Sequence, residues 1–332
     1  MRRVKSLQGK ASTSFHIMSR LCEGVPFFDD TEKEALVLIL RRLARFCGLK
    51  MLTYCVMGNH FHALVCVPDK TEWLKQFDGP EGESQLFQHL RTLYSRAFVE
   101  LLVAQISRWR QEGREDLVTG CLTGIKSRLC DISIFSKEAK ARFACWYNKR
   151  HSRCGALWMG RFKSVLVEGN SPAGTRTSNE SEPDALKVMA AYIDLNPVRA
   201  GLVESAHDYR WSGWSSALTG DKESIEGLCH VVGCEAKQWS AGGGQQSYAH
   251  WVSERRKNEP QPLDSGHGLL ETMRAFSQGV AIGSAEFVEG VFVQCRECFG
   301  EKRKTGARPL HGITGTWRKS IMALRELRLP NG

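Results

Sequence analysis

No stretch of this chain is apolar for long enough to cross a bilayer. The best run, EALVLIL, stops at Arg41 and Arg42, short of the roughly 20 residues that a spanning helix needs. The opening MRRVKSLQGKASTSF is basic but lacks the apolar core of a signal peptide. Secretion and a membrane partner are therefore not expected, and the cytoplasm is the expected location. A disulfide framework is missing as well. The 12 cysteines are scattered, and Cys47, Cys55, Cys66 and Cys145 sit in apolar runs. In a chain without a signal peptide they read as buried free thiols. One C-x-x-C, Cys295 to Cys298, has no second pair at a zinc-like spacing; even with His311 downstream it reads as helix packing. No G-x-x-x-x-G-K-S/T phosphate-binding run occurs. There is no internal repeat.

What is present is an ordinary globular composition: 332 residues, 42% hydrophobic and 25% charged. That length fits two domains, or one domain with an appendage. The net charge of +10 favours a polyanionic partner, chiefly nucleic acid. It speaks for affinity, not for chemistry.

Residues 12–19, STSFHIMS, alternate and suit a strand. Asp29 or Asp30 caps a helix expected over 31–47, with Ala35, Leu36, Ile39, Leu43 and Phe46 as its apolar face and Gly48 as its stop. KMLTYCVM and FHALVCV then read as two strands joined by a tight turn at Gly58 and Asn59. A helix follows Asp69, a longer one is expected over 85–105, and residues 106–139 are helical but poorly patterned. FKSVLVE reads as a strand, residues 169–184 as a polar linker, and a helix resumes at Ala185 and reaches Asn196, before Pro197. Early strand pairing with later helices makes the chain α+β with an antiparallel sheet.

Two patterns carry chemistry. His60 and His62 lie at i and i+2 on a strand, so they share a face while Phe61 turns to the other. Two imidazoles on one face form half a metal site; taken alone, the motif reads rather as a pair of core histidines. Tyr192 and Asn196 lie four apart in the helix, so they share a face too. A tyrosine is a competent nucleophile for phosphoryl transfer, and an amide oxygen one turn away is a candidate third ligand. A third pattern is a basic and aromatic run over 140–163. Lys149, Arg150, Arg153, Arg161 and Lys163 are candidates for DNA phosphate, interleaved with Trp146, Tyr147, Trp158 and Phe162, of which Trp158 and Phe162 are expected to pack. Tyr147 competes with Tyr192 as nucleophile but has no ligand candidate one turn away.

TYCVMGNHFHALVCVP, WYNKRHSRCGALWMGRFKSVLVEG, YIDLNPVRAGLV and DYRWSG occur in that order. Together they resemble the REP-associated tyrosine transposases, a branch of the HUH single-strand DNA transposases, from about Ser14 to Trp214. The resemblance implies a ferredoxin-like antiparallel sheet with helices packed on it. It implies His60 and His62 as ligands of a divalent metal, Mg²⁺ or Mn²⁺, and Asn196 as the ligand one turn after the nucleophile Tyr192. It also implies cleavage and rejoining of single-stranded or hairpin DNA through a 5′-phosphotyrosine, in a monomer or a homodimer.

On this reading residues 1–218 are the catalytic domain, 219–262 a connecting region and 263–332 a small helical appendage. Helices near 268–277 and 284–298, joined by QGVAIG, suggest a helix-turn-helix DNA reader, with the basic EKRKTGAR beyond it. The alternative function is a domesticated hairpin DNA- or RNA-binding protein that does not cleave.

Overall fold

The computed structural model describes residues 12–169, 184–257, 276–277, 279–310 and 321–325. Their elements are β1 (Ser12–Arg20), α1 (Asp30–Cys47), β2 (Lys50–Val56), β3 (His60–Pro68), α2 (Lys70–Leu74), α3 (Gly82–Leu90), α4 (Arg96–Gln111), α5 (Glu115–Ser127) and α6 (Ile132–Arg150). After these come β4 (Lys163–Val167), α7 (Ala185–Asp194), α8 (Asn196–Arg199), α9 (Gly213–Leu218), α10 (Lys222–Val232), α11 (Gln238–Ala241) and α12 (Gly244–Lys257). The last are β5 (Gly279–Gly283), α13 (Ala285–Gln294), β6 (Arg308–Pro309) and β7 (Met322–Arg325). The fold is mixed α+β: a seven-stranded sheet in the order β2-β3-β1-β4-β5-β7-β6, with helices packed on it. Two compact units divide the chain: one of Met1–Lys33, Met51–Cys66 and Ala156–Gly332, the other of Glu34–Lys50 and Val67–Gly155.

The first unit holds the sheet. Its first four strands follow the ferredoxin-like order 2-3-1-4. β1 pairs antiparallel with β4, with His16 opposite Val165. The edge at β2 is covered by its own chain: Val56 N–H donates to Trp211 O (2.9 Å), and Tyr209 O–H donates to Val56 O (2.9 Å). This closes an edge that would otherwise offer unpaired groups to another strand.

Helix α7 is apolar almost all round and buried almost all round, the pattern of a central helix. Leu186, Met189, Ala190 and Ile193 join Leu52, Leu64, Cys66, Val165 and Val167 of the sheet in one core, with Leu228 of α10 and Tyr248 and Trp251 of α12. Helix α10 comes close to the sheet because Gly227 has no side chain; a Cβ there would stand 2.3 Å from Met51 O. SAGGGQQS, which reads as loop, is largely helical in α11 and α12. Burial of Trp239 and Tyr248 in the shared core overrides its weak propensity.

The C-terminal region corrects the expected helix-turn-helix. QGVAIG is not a turn: Gly279–Gly283 is strand β5, parallel to β4 (Leu166 opposite Ala281) and antiparallel to β7. The sheet is therefore mixed rather than wholly antiparallel. A short apolar run such as Val280–Ile282 carries no period that separates strand from buried helix; here an open sheet edge takes it. Helix α13 covers the start of the second expected helix and gives way to a 3-10 turn at Arg296–Cys298. The first expected helix lies almost wholly outside the described residues, as do the 170–183 part of the polar linker and His311. EKRKTGAR is not wholly free for DNA. Arg303 is buried, lies over the Phe292 and Phe299 rings (5.5 and 4.9 Å), and donates to Gly306 O and Arg325 O.

The second unit is helical. Helix α1 enters it from a reciprocal cap in which Glu32 N–H donates to Asp29 and Asp29 N–H donates to Glu32 (both 2.8 Å). It ends at Gly48, with φ +69°. Its buried face is Leu36, Leu40, Leu43, Phe46 and Cys47; Ala35 and Ile39 are only half-buried. The helix expected over 85–105 is two helices, α3 and α4, because Ser95 caps a fresh start by accepting from Phe98 N–H (3.3 Å).

Candidate functional site

Three elements of the sheet unit converge. β3 supplies His60 and His62, β1 supplies His16, and α7 supplies Tyr192. Phe61 turns to the other face, fully buried against Trp158 (5.7 Å between rings), so its neighbours are held on the helix side. The His62 ring lies 4.9 Å from His60, 5.0 Å from His16 and 5.9 Å from Tyr192. The expected trio of His60, His62 and Tyr192 is thus brought together from distant parts of the sequence.

All three histidines are neutral at pH 7. Burial lowers His16 to about 4, with the bond to the Phe276 carbonyl opposing. Burial, with the nearby Arg20 charge, lowers His60 to about 4. His62 falls well below the usual imidazole range, through burial first and then through His60, His16 and Arg199. Neutral imidazoles keep a lone pair for a metal ion. His60 Nδ1 donates to Asn59 Oδ1 (2.6 Å), which leaves its Nε2 as the lone-pair nitrogen. A nitrogen pair of this kind is softer than the all-oxygen set that Mg²⁺ prefers. Among the described residues, no group of three or more His, Cys, Asp or Glu side chains is set to hold a metal.

Asn196 sits beyond a break that its neighbour imposes. Pro197 has no N–H to give to Ile193 O, and α7 ends at Asp194. The Asn196 amide takes over: Nδ2 donates to Tyr192 O and Ile193 O, both at 3.0 Å. Asn196 is therefore first a helix cap, with Oδ1 as its remaining acceptor. The helix does not run through it as expected.

Tyr192 is 2% exposed. The Phe276 ring stacks on it (4.4 Å, 13°), and the Arg199 guanidinium lies 4.4 Å from its ring centre and donates to its carbonyl (2.6 Å). Arg199 is the cation beside the phenol. Two residues on, Asp194 is fully buried. Thr53 Oγ1 lies 3.1 Å from both its oxygens, Tyr248 O–H donates to it, and burial pushes it up to about 7. It fastens α7 to β2 and α12. His16, Arg199 and Phe276 are absent from the sequence reading. Arg199 had a signal, since it lies seven residues after Tyr192, two turns on; His16 had its place in an alternating strand; Phe276 had none.

The DNA-contact candidates fall in two groups. Lys149 and Arg150 are exposed at the end of α6, and Arg153 is half-buried and donates to Asn148 Oδ1 (3.1 Å); all belong to the helical unit. Arg161 and Lys163 are exposed in the sheet unit. Trp158 packs as expected, while Phe162 is half-buried. Tyr147 is buried in α6, with the His151 ring tilted against it (4.3 Å between ring centres, 30°). Cys298 is exposed and Cys295 half-buried, so the C-x-x-C packs little. No described helix is long and apolar enough to cross a membrane.

No protein-family model and no curated protein matches the chain. A solved structure described as "Structure of the REP associates tyrosine transposase bound to a REP hairpin" is similar at 14% identity and a TM-score of 0.34. The match covers 66% of this chain and 87% of that one.

Proposed function

We propose that this chain is a metal-dependent, single-tyrosine DNA strand transferase acting on single-stranded or hairpin DNA. The observation that carries the reading is the meeting of Tyr192 with the neutral pair His60 and His62, 5.9 Å from ring to ring at His62, in a chain that resembles the REP-associated tyrosine transposases in motif order. His60 and His62 would hold the ion, with the Asn196 Oδ1 acceptor as the candidate third donor. A bound Mg²⁺ or Mn²⁺ supplies positive charge to a non-bridging phosphate oxygen.

Tyr192 Oη forms the new bond to phosphorus and loses its proton; the bridging bond to the 3′ oxygen breaks. The products are a 5′-phosphotyrosine and a free 3′-hydroxyl, and attack by a 3′-hydroxyl reverses the step. A free phenol titrates near 10 and is a weak nucleophile at pH 7, so Arg199 has the task of favouring the phenolate. Lys149, Arg150, Arg153, Arg161 and Lys163 hold the DNA backbone. The protein works in the cytoplasm, as a monomer or homodimer.

The test is incubation with hairpin-containing DNA and Mn²⁺ or Mg²⁺. A covalent adduct is expected with the wild type and none with Tyr192→Phe; an adduct formed by Tyr192→Phe sinks the proposal. One observation favours a second reading, a hairpin DNA- or RNA-binding protein that does not cleave: the proposed nucleophile is closed in under Phe276. Tight hairpin binding without any adduct, unchanged by His60→Ala and Tyr192→Phe, would select it.

A further inference from the structure

His16 enters no part of the function above, yet it is fully buried and bonded at both ring nitrogens. Nδ1 lies 2.7 Å from Phe276 O, and Nε2 lies 2.8 Å from His62 Nδ1. A carbonyl oxygen only accepts, so His16 Nδ1 carries the hydrogen and donates. The second bond then has two solutions. Either His16 Nε2 also carries a hydrogen, which makes the ring a buried cation, or Nε2 accepts from His62 Nδ1–H. Burying an uncompensated charge costs far more than burying a neutral ring, so the second holds. The chain of donors runs one way: His62 Nδ1–H to His16 Nε2, and His16 Nδ1–H to Phe276 O. It leaves the His62 lone pair on Nε2, the nitrogen turned away from His16.

We infer that His16 is a positioning residue that fixes the tautomer and ring direction of His62, so that His62 offers Nε2 to a divalent cation. Asn59 Oδ1 does the same for His60. Both rings then present the same nitrogen, each held from behind by a hydrogen bond. Partners that hold a ligating imidazole in this way raise its basicity and remove rotamers that bind nothing. The pairing spans β1 and β3, which are neighbours in the sheet, so the sheet register itself aims the ligand. This inference rests on the metal-binding reading of His60 and His62.

Two measurements on the full chain test it separately from that reading. In the metal-free wild type, ¹⁵N-resolved histidine spectra report the tautomer directly; His16, His60 and His62 are each expected as the Nδ1–H form. A His62 found as the Nε2–H form overturns the inference. Mn²⁺ titration of His16→Phe is expected to show affinity weaker by about 10- to 100-fold, with much of it recovered in His16→Gln, whose amide oxygen accepts from His62. Equal affinity in the folded His16→Phe protein overturns the inference, and so does pulsed EPR that counts three bound imidazoles in the wild type. If His62→Ala binds Mn²⁺ like the wild type, the metal reading fails instead, and the tautomer spectrum still decides the role of His16.

Discussion

Phe276 lies flat on Tyr192, ring centres 4.4 Å apart and planes 13° from parallel. Stacked rings of this kind attract one another beyond their buried area. The contact covers one face of the proposed nucleophile's ring, and Phe276 is expected to hinder the approach of a phosphate. Phe276→Ala is expected to raise the initial rate of adduct formation per folded molecule, while costing about 3–5 kcal/mol of stability as a large-to-small core change. Stopped adduct assays beside urea melts check both. An unchanged rate means the cover is no obstacle.

The two buried tyrosines beside basic residues separate cleanly. Tyr192 touches His62 and Arg199; Tyr147 lies against His151 at the end of α6. Tyr147→Phe is expected to keep full adduct formation and Tyr192→Phe to lose it, read by denaturing gels with labelled DNA. Loss of the adduct in the Tyr147 variant alone would exchange their roles.

Asn196 gives its amide hydrogens to two carbonyls at the end of α7. Asn196→Ala leaves those acceptors with fewer donors, at a cost of about 1–3 kcal/mol. Denaturant melts are the measurement. Mn²⁺ titration of the same variant shows whether Oδ1 is also a ligand: weaker binding is expected, and unchanged binding confines Asn196 to its cap.

Asp194 depends on the Tyr248 hydroxyl and on Thr53. Tyr248→Phe removes one donor from a fully buried carboxyl, so a loss of about 1–3 kcal/mol is expected. The loss should be larger at pH 8 than at pH 5, because a protonated carboxyl needs fewer donors. A loss independent of pH would contradict the role given to Asp194.

The same groups set the stability of the metal-free protein against pH. His16 and His60 titrate near 4 when folded and near 6.5 when unfolded. Their folded values are lowered, so the unfolded chain binds more protons in that window and stability falls as pH drops from 6.5 towards 4. Asp194 has the opposite sign: raised to about 7, it adds stability below its unfolded value near 3.8, lost as pH rises to 7. With His62 lowered as well, the histidines outnumber it. The net expectation is acid destabilisation of roughly 1.4 kcal/mol per pH unit for each net proton taken up, measured by urea midpoints from pH 7 to pH 5. A midpoint that rises on acidification would refute the balance.

The local grammar of the first half was written in the sequence. The alternation of residues 12–19, a cap at Asp29 or Asp30, Gly48, the Gly58–Asn59 turn and the alternation around Phe61 predict β1, α1, β2 and β3 nearly to the residue. They do so because caps, turns and period-two patterns act within a few positions. The same is true of the shared face of His60 and His62, which follows from strand geometry alone. Pro197, which has no N–H for Ile193 O, marked a helix break in the sequence, but the expected end at Asn196 is instead a break at Leu195, after which α8 carries the helix through Pro197.

Three things came only with the tertiary structure. Gly279–Gly283 became a strand because the edge beside β4 was open to it, and a five-residue apolar run does not say which partner it will meet. Helices α11 and α12 formed around Trp239 and Tyr248 because shared burial outweighs propensity. His16 and Phe276 joined His62 and Tyr192 because sheet order and packing, not sequence distance, determine which side chains touch. Local pattern thus decided what the segments of the first half are and where their side chains face; packing decided what those side chains meet, and what Gly279–Gly283, α11 and α12 become.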